Sequence, residues 1–482
     1  MKKFLLGIFV FVVLSLMSLP LLAQELELEL NQGELARIIY EELGFEYAPQ
    51  NPDAVVTRAD AVIGIMRALN MSSLAEQIAE FEASPFIDIN DNIGYFIMAH
   101  HFGAINGVGG GRFAPADPAS AQQVLSIIER LQARLSSNLH MHAFYAFGAF
   151  GQRHFIENLD TVSLGWSILE YTEGQVRLNT GSAGGNQWRI PDGYELIADY
   201  PKKHGVATHL SVFMEVPELY HFLANNSAVE QAVQDIFAEA TREFSAIGRR
   251  LYDGVTINFE GLRGDESAER FTAFLNRLSA VLATENLSLY VTVHPTTIDG
   301  IYFDGYDFRA IGEIADRVIL MAHDYHPRSL EGLVGTSWQR NAALTPIGQI
   351  YRALSAITHP ETGVADAHRV SIAFSFVNVG WFIDENGNAV SDAPVVVSND
   401  TAYARMNQPD TIFGWSETFR NPYIIYTTEN DERVFLWFQN EQSIAEKLRL
   451  ARLFGIEGAS FWRLGIIPEF DGWSILPYDF DH

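Results

Sequence analysis

The sequence predicts an α/β fold, a (β/α)8 barrel over residues 138–482, preceded by a small helical domain over residues 25–135. Two observations carry this. From about residue 138 onward, short apolar runs alternate with amphipathic segments, the pattern of parallel strands joined by helices. Before that point the apolar residues recur at helical spacing and are broken by turn clusters. The eight candidate strands are His142–Phe147, Thr161–Leu169, Ala207–Phe213, Gly254–Phe259, Ser288–His294, Arg317–Ala322, Arg369–Phe376 and Gly458–Trp462. Segments such as Val229–Ala246 and Glu266–Ala283 read as the helices between them.

The helical region is justified element by element. Leu35, Ile38, Ile39 and Leu43 share one face of a helix that Gly44 ends. Thr57 is placed as the N-cap of a second helix carrying Val62, Ile65, Met66 and Leu69. A third begins near Ser120 with Val124, Ile127, Ile128 and Leu131. Between them lie Pro85-Phe86-Ile87-Asp88, a helix around Tyr95–Phe102, and a turn from Gly107 to Phe113. Similar helices recurring after a turn are the sign of an internal repeat.

These segments resemble the S-layer homology domain, through Phe86 and Asp88, then Gly107, Gly111, Phe113 and Pro115, then Thr57-Arg58-Ala59-Asp60. Asn31-Gln32-Gly33-Glu34 is similar to a third, weakened copy, and Ser120-Ala121-Gln122-Gln123 lacks the arginine. The resemblance implies docking onto an anionic secondary wall polymer with Arg58 as the contact. A purely structural remnant is the other reading, since Thr57 is a helix cap under either.

The bulk numbers bound the function. Of 482 residues, 48% are hydrophobic and 19% charged, which is the balance of a globular chain with a large core. Residues 1–23 combine Lys2 and Lys3, an apolar run from Phe4 and a small Ala23, and read as a secretory signal cut after Ala23. An uncleaved anchor is the alternative, and no later stretch is apolar and long enough to span a membrane. With no cysteine, disulfides, thiolate metal sites, a thioether lipid anchor and cysteine nucleophiles are excluded. A formal charge of -28 disfavours nucleic acid and anionic membranes as partners, because phosphate contacts need a basic footprint. A secreted protein of the cell wall or surface is the expected setting.

The chemistry is concentrated in Tyr252-Asp253-Gly254-Val255-Thr256-Ile257-Asn258-Phe259-Glu260. On a strand, Thr256, Asn258 and Glu260 point one way and Val255, Ile257 and Phe259 the other. In a barrel the first set faces the axis, with Glu260 at the C-terminal end where barrel active sites are built. A carboxyl group shielded there holds its proton to higher pH and can act as a general acid. A carboxylate capping the next helix is the bland alternative.

This run resembles the D-x-x-D-x-D-x-E strand of family 18 glycoside hydrolases, in the branch associated with spore-cortex and peptidoglycan hydrolysis. Asp253 and Glu260 match the outer acids; Thr256 and Asn258 replace the middle ones. Met321-Ala322-His323-Asp324 and Gly458-Ala459-Ser460-Phe461-Trp462-Arg463-Leu464-Gly465 are similar to the family's sixth- and eighth-strand motifs. The resemblance implies substrate-assisted retaining catalysis on β-1,4-linked N-acetylhexosamine glycans, peptidoglycan or cortex more than chitin. The substrate's N-acetyl oxygen is then the nucleophile, an exception to the two-carboxylate rule. It also implies Glu260 as acid then base, Trp462 as the floor under the reacting sugar, and His323 and Asp324 as holders of the acetamido group and ring hydroxyls. Asp253 and Asn258 are further catalytic candidates, and Tyr325 and His294 further substrate-binding ones. No cofactor or metal is implied.

Asn258 departs from that pattern, because a neutral amide cannot offset an oxazolinium charge, and losing such a charge costs on the order of 10²–10³ in rate. A catalytically weakened, glycan-binding barrel is therefore the alternative. A metal-dependent hydrolase using His140, His142, His294, His323 and His326 is a third reading, disfavoured because His140 and His142 precede the apolar part of the first strand. Trp166, Trp381 and Trp437 suit either a sugar cleft or ordinary packing.

Overall fold

The computed structural model describes residues 30–146, 148–297 and 303–469. The expected signal segment over 1–23, and Phe147 at the end of the first candidate strand, lie outside the described residues. The chain divides into two compact units, one ending at Ser136 and the other starting at Ser137. No helix among the described residues is long and apolar enough to cross a membrane.

The N-terminal unit is built from helices α1 (Gln32–Leu43), α2 (Arg58–Ala68), α3 (Ser72–Ala79), α4 (Ile93–His101) and α5 (Ala121–Leu135). Three of them open in the same way. Asn31 with Glu34, Thr57 with Asp60, and Ser120 with Gln123 each form a reciprocal capping box, satisfying two N–H groups that the first turn leaves unbonded. Short bridges from Asn31 to Val55 and from Thr57 to Pro118 tie these openings to extended neighbours. Asp88 accepts the backbone N–H groups of Phe113 and Ala114 at 2.8 and 2.9 Å, and the Phe86 and Phe113 rings pack 5.3 Å apart. The Phe-x-Asp and glycine-turn signals are thus two halves of one structural clamp.

In the second unit, eight parallel strands close on themselves. They are β1 (His140–Tyr145), β2 (Thr161–Thr172), β3 (Ala207–Glu215), β4 (Gly254–Glu260), β5 (Ser288–Val293), β6 (Arg317–Leu320), β7 (Val370–Ser375) and β8 (Gly458–Leu464). Each pairs with its successor, and β8 pairs with β1, completing a (β/α)8 barrel. All eight predicted strands are present, with ends moved by a few residues.

Packing outside the barrel fixes β4. Val255, Ile257 and Phe259 point outward and are fully buried. Helix α6 (Asp265–Ala283) meets them with Phe271, Phe274, Leu275, Leu278 and Leu282, one apolar stripe at helical spacing. Phe259 stacks on Phe274 at 5.2 Å and lies 5.8 Å from Phe271. Burial of each such side chain contributes roughly 1.5–3 kcal/mol.

Two additions were not foreseen in detail. Gln175–Asn179 turns back on β2 as an antiparallel hairpin strand. Residues 378–437, between β7 and β8, form a five-stranded antiparallel sheet with its own core, which includes Trp381 and Trp437. The helix predicted over Val229–Ala246 stops at Thr241. There Arg242 turns extended, its guanidinium 3.7 Å from the Phe244 ring centroid, and Glu243–Phe244 pairs with Arg249–Arg250.

Candidate active site

The lower half of the barrel interior is a neutral, hydrogen-bonded layer. Thr256 Oγ1 lies 2.7 Å from Ser163 Oγ and 3.1 Å from His209 Nδ1, and His209 Nε2 lies 2.8 Å from Ser288 Oγ. His142 spans Ser163 and Ser460 at 2.8 and 2.7 Å. Gly254 leaves room for this layer, since a Cβ there would sit 2.4 Å from Ser288 Oγ and 2.5 Å from His209 Nε2. Burial, reinforced by nearby positive groups, pulls the His209 imidazole down to about 3, His140 to about 4 and His142 well below its ordinary value. These histidines are neutral partners of hydroxyls. Among the described residues no group of three or more His, Asp or Glu could hold a metal ion.

Above this layer lies the mouth. Asn258 is 1% exposed; its Nδ2 donates to Glu260 Oε1 at 3.0 Å, and its Oδ1 accepts from Thr292 Oγ1 at 2.6 Å. When Glu260 is ionised this orientation is the one chemistry allows, because a carboxylate can only accept. Tyr306 clamps the backbone just beyond, donating to Phe259 O at 2.8 Å while its oxygen accepts from Leu262 N–H at 3.4 Å. Burial raises the Glu260 carboxyl above its ordinary range, against the Asn258 hydrogen bond and the His323 charge; Glu215 and Asp324 push it further up.

Past the end of β6, His323 Nδ1 meets Asp324 Oδ2 at 2.8 Å. Asp324 has φ +59°, a left-handed conformation that costs a non-glycine residue about 1–2 kcal/mol and re-aims the carboxylate. Burial raises the Asp324 carboxyl, but the His323 charge and hydrogen bond, with help from His326 and Ser375, outweigh it and hold it low. His294, at the end of β5, stacks on Phe303 at 4.1 Å and is lowered to about 4 by burial, His323 and Arg263. Tyr325 is half-buried in the following segment, its N–H donating to Leu344 O at 3.0 Å.

The floor is aromatic. Trp462 is partly buried against Phe144 at 5.0 Å and Trp188 at 6.0 Å, and Trp188 stacks on Phe213 at 4.6 Å with planes 7° apart. Trp188 was not singled out from the sequence, because it comes from the loop after the β2 hairpin. That loop is built around buried Asn186, whose Oδ1 accepts Trp188 N–H at 2.8 Å and whose Nδ2 donates to Trp188 O at 2.7 Å. Gly165 on β2 makes the space, since a Cβ there would lie 3.2 Å from the indole. Asx-type hydrogen bonding at Asn186-Gln187-Trp188 was the available signal.

Two readings change. Asp253 lies at the opposite end of β4, about 23 Å from Glu260 for seven extended residues. There it accepts from Thr208 N–H at 2.9 Å and Thr208 Oγ1 at 3.1 Å, joining β4 to β3 on an exposed rim. It is a strand-pairing residue and does not join the group around Glu260. Trp166, Trp381 and Trp437 are no more than 2% exposed and belong to packing, not to the cleft. The structure thus gathers Asn258, Glu260, His294, His323 and Asp324 at one end of the barrel, with Trp462 as floor. Arg58 belongs to the N-terminal unit, where its Nε donates to Phe113 O at 3.0 Å and its guanidinium covers the Phe113 ring at 4.5 Å.

The family model for glycosyl hydrolases family 18 matches residues 122–466. The chain belongs to glycosyl hydrolase family 18. Among its family 18 relatives, the cortical fragment-lytic enzyme of Bacillus subtilis is 23% identical over 269 residues, 55% of this chain and 57% of the relative. The enzyme of that name from Bacillus anthracis is 24% identical over 232 residues, 47% of this chain and 49% of the relative. The chain therefore spans about half the length of the curated relatives it matches. The spore cortex-lytic enzyme SleL of Bacillus cereus shares the fold with a TM-score of 0.52 at 18% identity, covering 68% of this chain and 72% of that one. A chitinase from Chromobacterium violaceum does so with a TM-score of 0.51 at 17% identity, covering 69% of this chain and 96% of that one.

Proposed function

We propose that this family 18 chain is an exported glycoside hydrolase of the cell wall that cleaves β-1,4-linked N-acetylhexosamine glycans, peptidoglycan or spore cortex more than chitin. The observation that carries the reading is Glu260. It is a partly buried carboxyl at the C-terminal end of β4, raised above its ordinary range, and the neighbouring strand β3 carries Phe213, on which Trp188 stacks. Such a group keeps its proton to higher pH than an exposed carboxyl and can deliver it to a glycosidic oxygen. The reacting sugar rests on Trp462, with Trp188 offering a second aromatic face, while His323 and Asp324 hold its acetamido group and hydroxyls. Relatives named for acting on cortical fragments favour cortex over chitin.

The deciding experiment is turnover of purified peptidoglycan, spore cortex and chitin fragments, with Glu260→Gln as control. We expect hydrolysis that falls by at least about 10³-fold in Glu260→Gln. Equal hydrolysis by both proteins would remove Glu260 from the mechanism. Asn258 motivates a second reading, a glycan-binding barrel of weakened activity. Tight binding without turnover in either protein would favour it.

The N-terminal unit is proposed to hold an anionic wall polysaccharide in a pocket of about 320 Å³ lined by Arg58, Arg130, Gln122 and Gln123. Arg58→Gln should weaken co-sedimentation with purified anionic wall polymer while leaving glycan hydrolysis intact. Unchanged co-sedimentation would reduce this unit to a structural remnant.

A further inference from the structure

A second carboxylate stands beside the proposed acid, one that the β4 motif does not contain. β3 and β4 run parallel and in register from His209–Gly254 to Glu215–Glu260. Glu215 is therefore the strand neighbour of Glu260, about 5 Å away at the Cα atoms and with its side chain on the same face. That face looks into the barrel mouth, because Phe213, two residues earlier, is in register with Asn258 and stacks on Trp188. The strand ends are held together beyond this pair. Val216 N–H donates to Glu260 O at 3.3 Å, and the Tyr220 hydroxyl donates to Gly261 O at 3.1 Å. Glu215 itself is exposed, and among the described residues no hydrogen bond or ion pair engages its carboxylate.

We propose that Glu215 is the working second carboxylate of this site, supplying from β3 the negative charge that Asn258 cannot supply from β4. This rests on the glycosidase reading above. In the first step the substrate's acetamido oxygen bonds to C1, the glycosidic C1–O bond breaks, and the Glu260 proton passes to the leaving oxygen. The ring so formed carries one positive charge. In the second step water oxygen bonds to C1, the bond from C1 to the acetamido oxygen breaks, and the water's proton goes to the Glu260 carboxylate. Glu215 takes no part in either proton transfer. It opposes the positive ring and, as a like charge beside Glu260, favours the protonated acid at the start. It acts through the field and through Glu260, and is a positioning residue.

The groups facing Glu260 are Asn258 on β4, Glu215 on β3, His323 and Asp324 beyond β6, and Tyr306 after β5. Of these only Glu215 and Asp324 bring negative charge, and Asp324 is engaged with His323. Glu215 is the uncommitted one.

The test is Glu215→Gln, neutral and nearly isosteric. We expect kcat to fall about 10-fold with KM little changed, and the alkaline limb of kcat/KM to move down by roughly half to one pH unit. Glu215→Asp should restore the limb. In an Asn258→Asp background, where the charge is present on β4, Glu215→Gln should cost less than about 3-fold. Independently of turnover, the Glu260 carboxyl can be titrated by 13C NMR, its signal assigned by loss in Glu260→Gln. Its midpoint should fall in Glu215→Gln, and the difference should shrink at high salt. An unchanged midpoint and an unchanged limb would overturn the assignment. Should no glycan be hydrolysed, the glycosidase reading fails alone, and the midpoint still decides: a fall keeps the Glu215–Glu260 pairing, and no fall ends it.

Discussion

In the proposed mechanism, Asn258 is the residue on which the chemistry turns. Its amide nitrogen is committed to Glu260 Oε1 and its oxygen to Thr292 Oγ1. A substrate acetamido N–H approaching this oxygen therefore meets a competitor, the Thr292 hydroxyl. An aspartate in the same place would keep the Thr292 bond, lose the donor to Glu260 and add a negative charge. Glu260 would hold its proton to higher pH, since a hydrogen bond to its charged form disappears and a like charge arrives. Asn258→Asp should accordingly raise kcat, by on the order of 10²-fold, and extend activity toward alkaline pH. A general acid must be protonated, so activity is lost as pH rises through the Glu260 pKa, and raising that pKa moves the alkaline limb upward. A pH–rate profile of the two proteins checks the direction. No gain in either rate or limb would mean that the native site does not lack a charge at 258.

At the scale of elements, β4 is backed by helices, with Phe222 of the short helix Glu218–Leu223 also 6.1 Å from Phe259. Phe259 lies between the two site residues of this strand, Asn258 and Glu260, yet points away from them into α6, where it packs on Phe271 and Phe274. Phe259→Ala should cost about 3–5 kcal/mol of stability through the cavity left behind. It should also lower kcat in whatever fraction stays folded, because Glu260 loses the packing that sets its position. Denaturant unfolding gives the first number and active-site titration the second. A loss below about 1 kcal/mol would show that packing of Phe259 on α6 and Phe222 is not what fixes the strand. Much of this element was legible beforehand: the alternation in residues 255–260 and the stripe in residues 266–283 both follow from strand and helix periodicity. The loop carrying Trp188 was not, because neither period applies to a segment whose conformation is set by Asn186 hydrogen bonds.

For the whole molecule, the buried histidine layer sets a limit on acid tolerance. His140, His142 and His209 have folded-state pKa values below the ordinary 6.5, through burial and neighbouring positive groups. Above that value both states are neutral and the layer contributes fully. As pH falls below about 6.5 the unfolded chain takes up protons that the folded barrel refuses, so stability declines down to the folded values near 3 to 4. Thermal unfolding followed from pH 7 to pH 4 should show a falling midpoint, and His209→Gln should make that fall shallower. A flat midpoint would mean that the layer accepts protons, or is open to water.

The sequence by itself determined the barrel, because eight apolar strands at the right intervals have one good way to bury both faces. It also determined that Glu260 and Asn258 share a face at the C-terminal end of their strand, since alternation on a strand leaves no other arrangement. It could not place residues whose meeting depends on register between strands or on loops far apart in the chain. Glu215 meets Glu260 only because β3 and β4 pair residue for residue up to their ends. Asp253, the nearest acid in sequence, is carried to the far rim by the same strand that delivers Glu260. Trp188 reaches Trp462 across a loop and a missing side chain at Gly165. Local periodicity dictates which way a side chain points; only closure of the barrel decides what it faces.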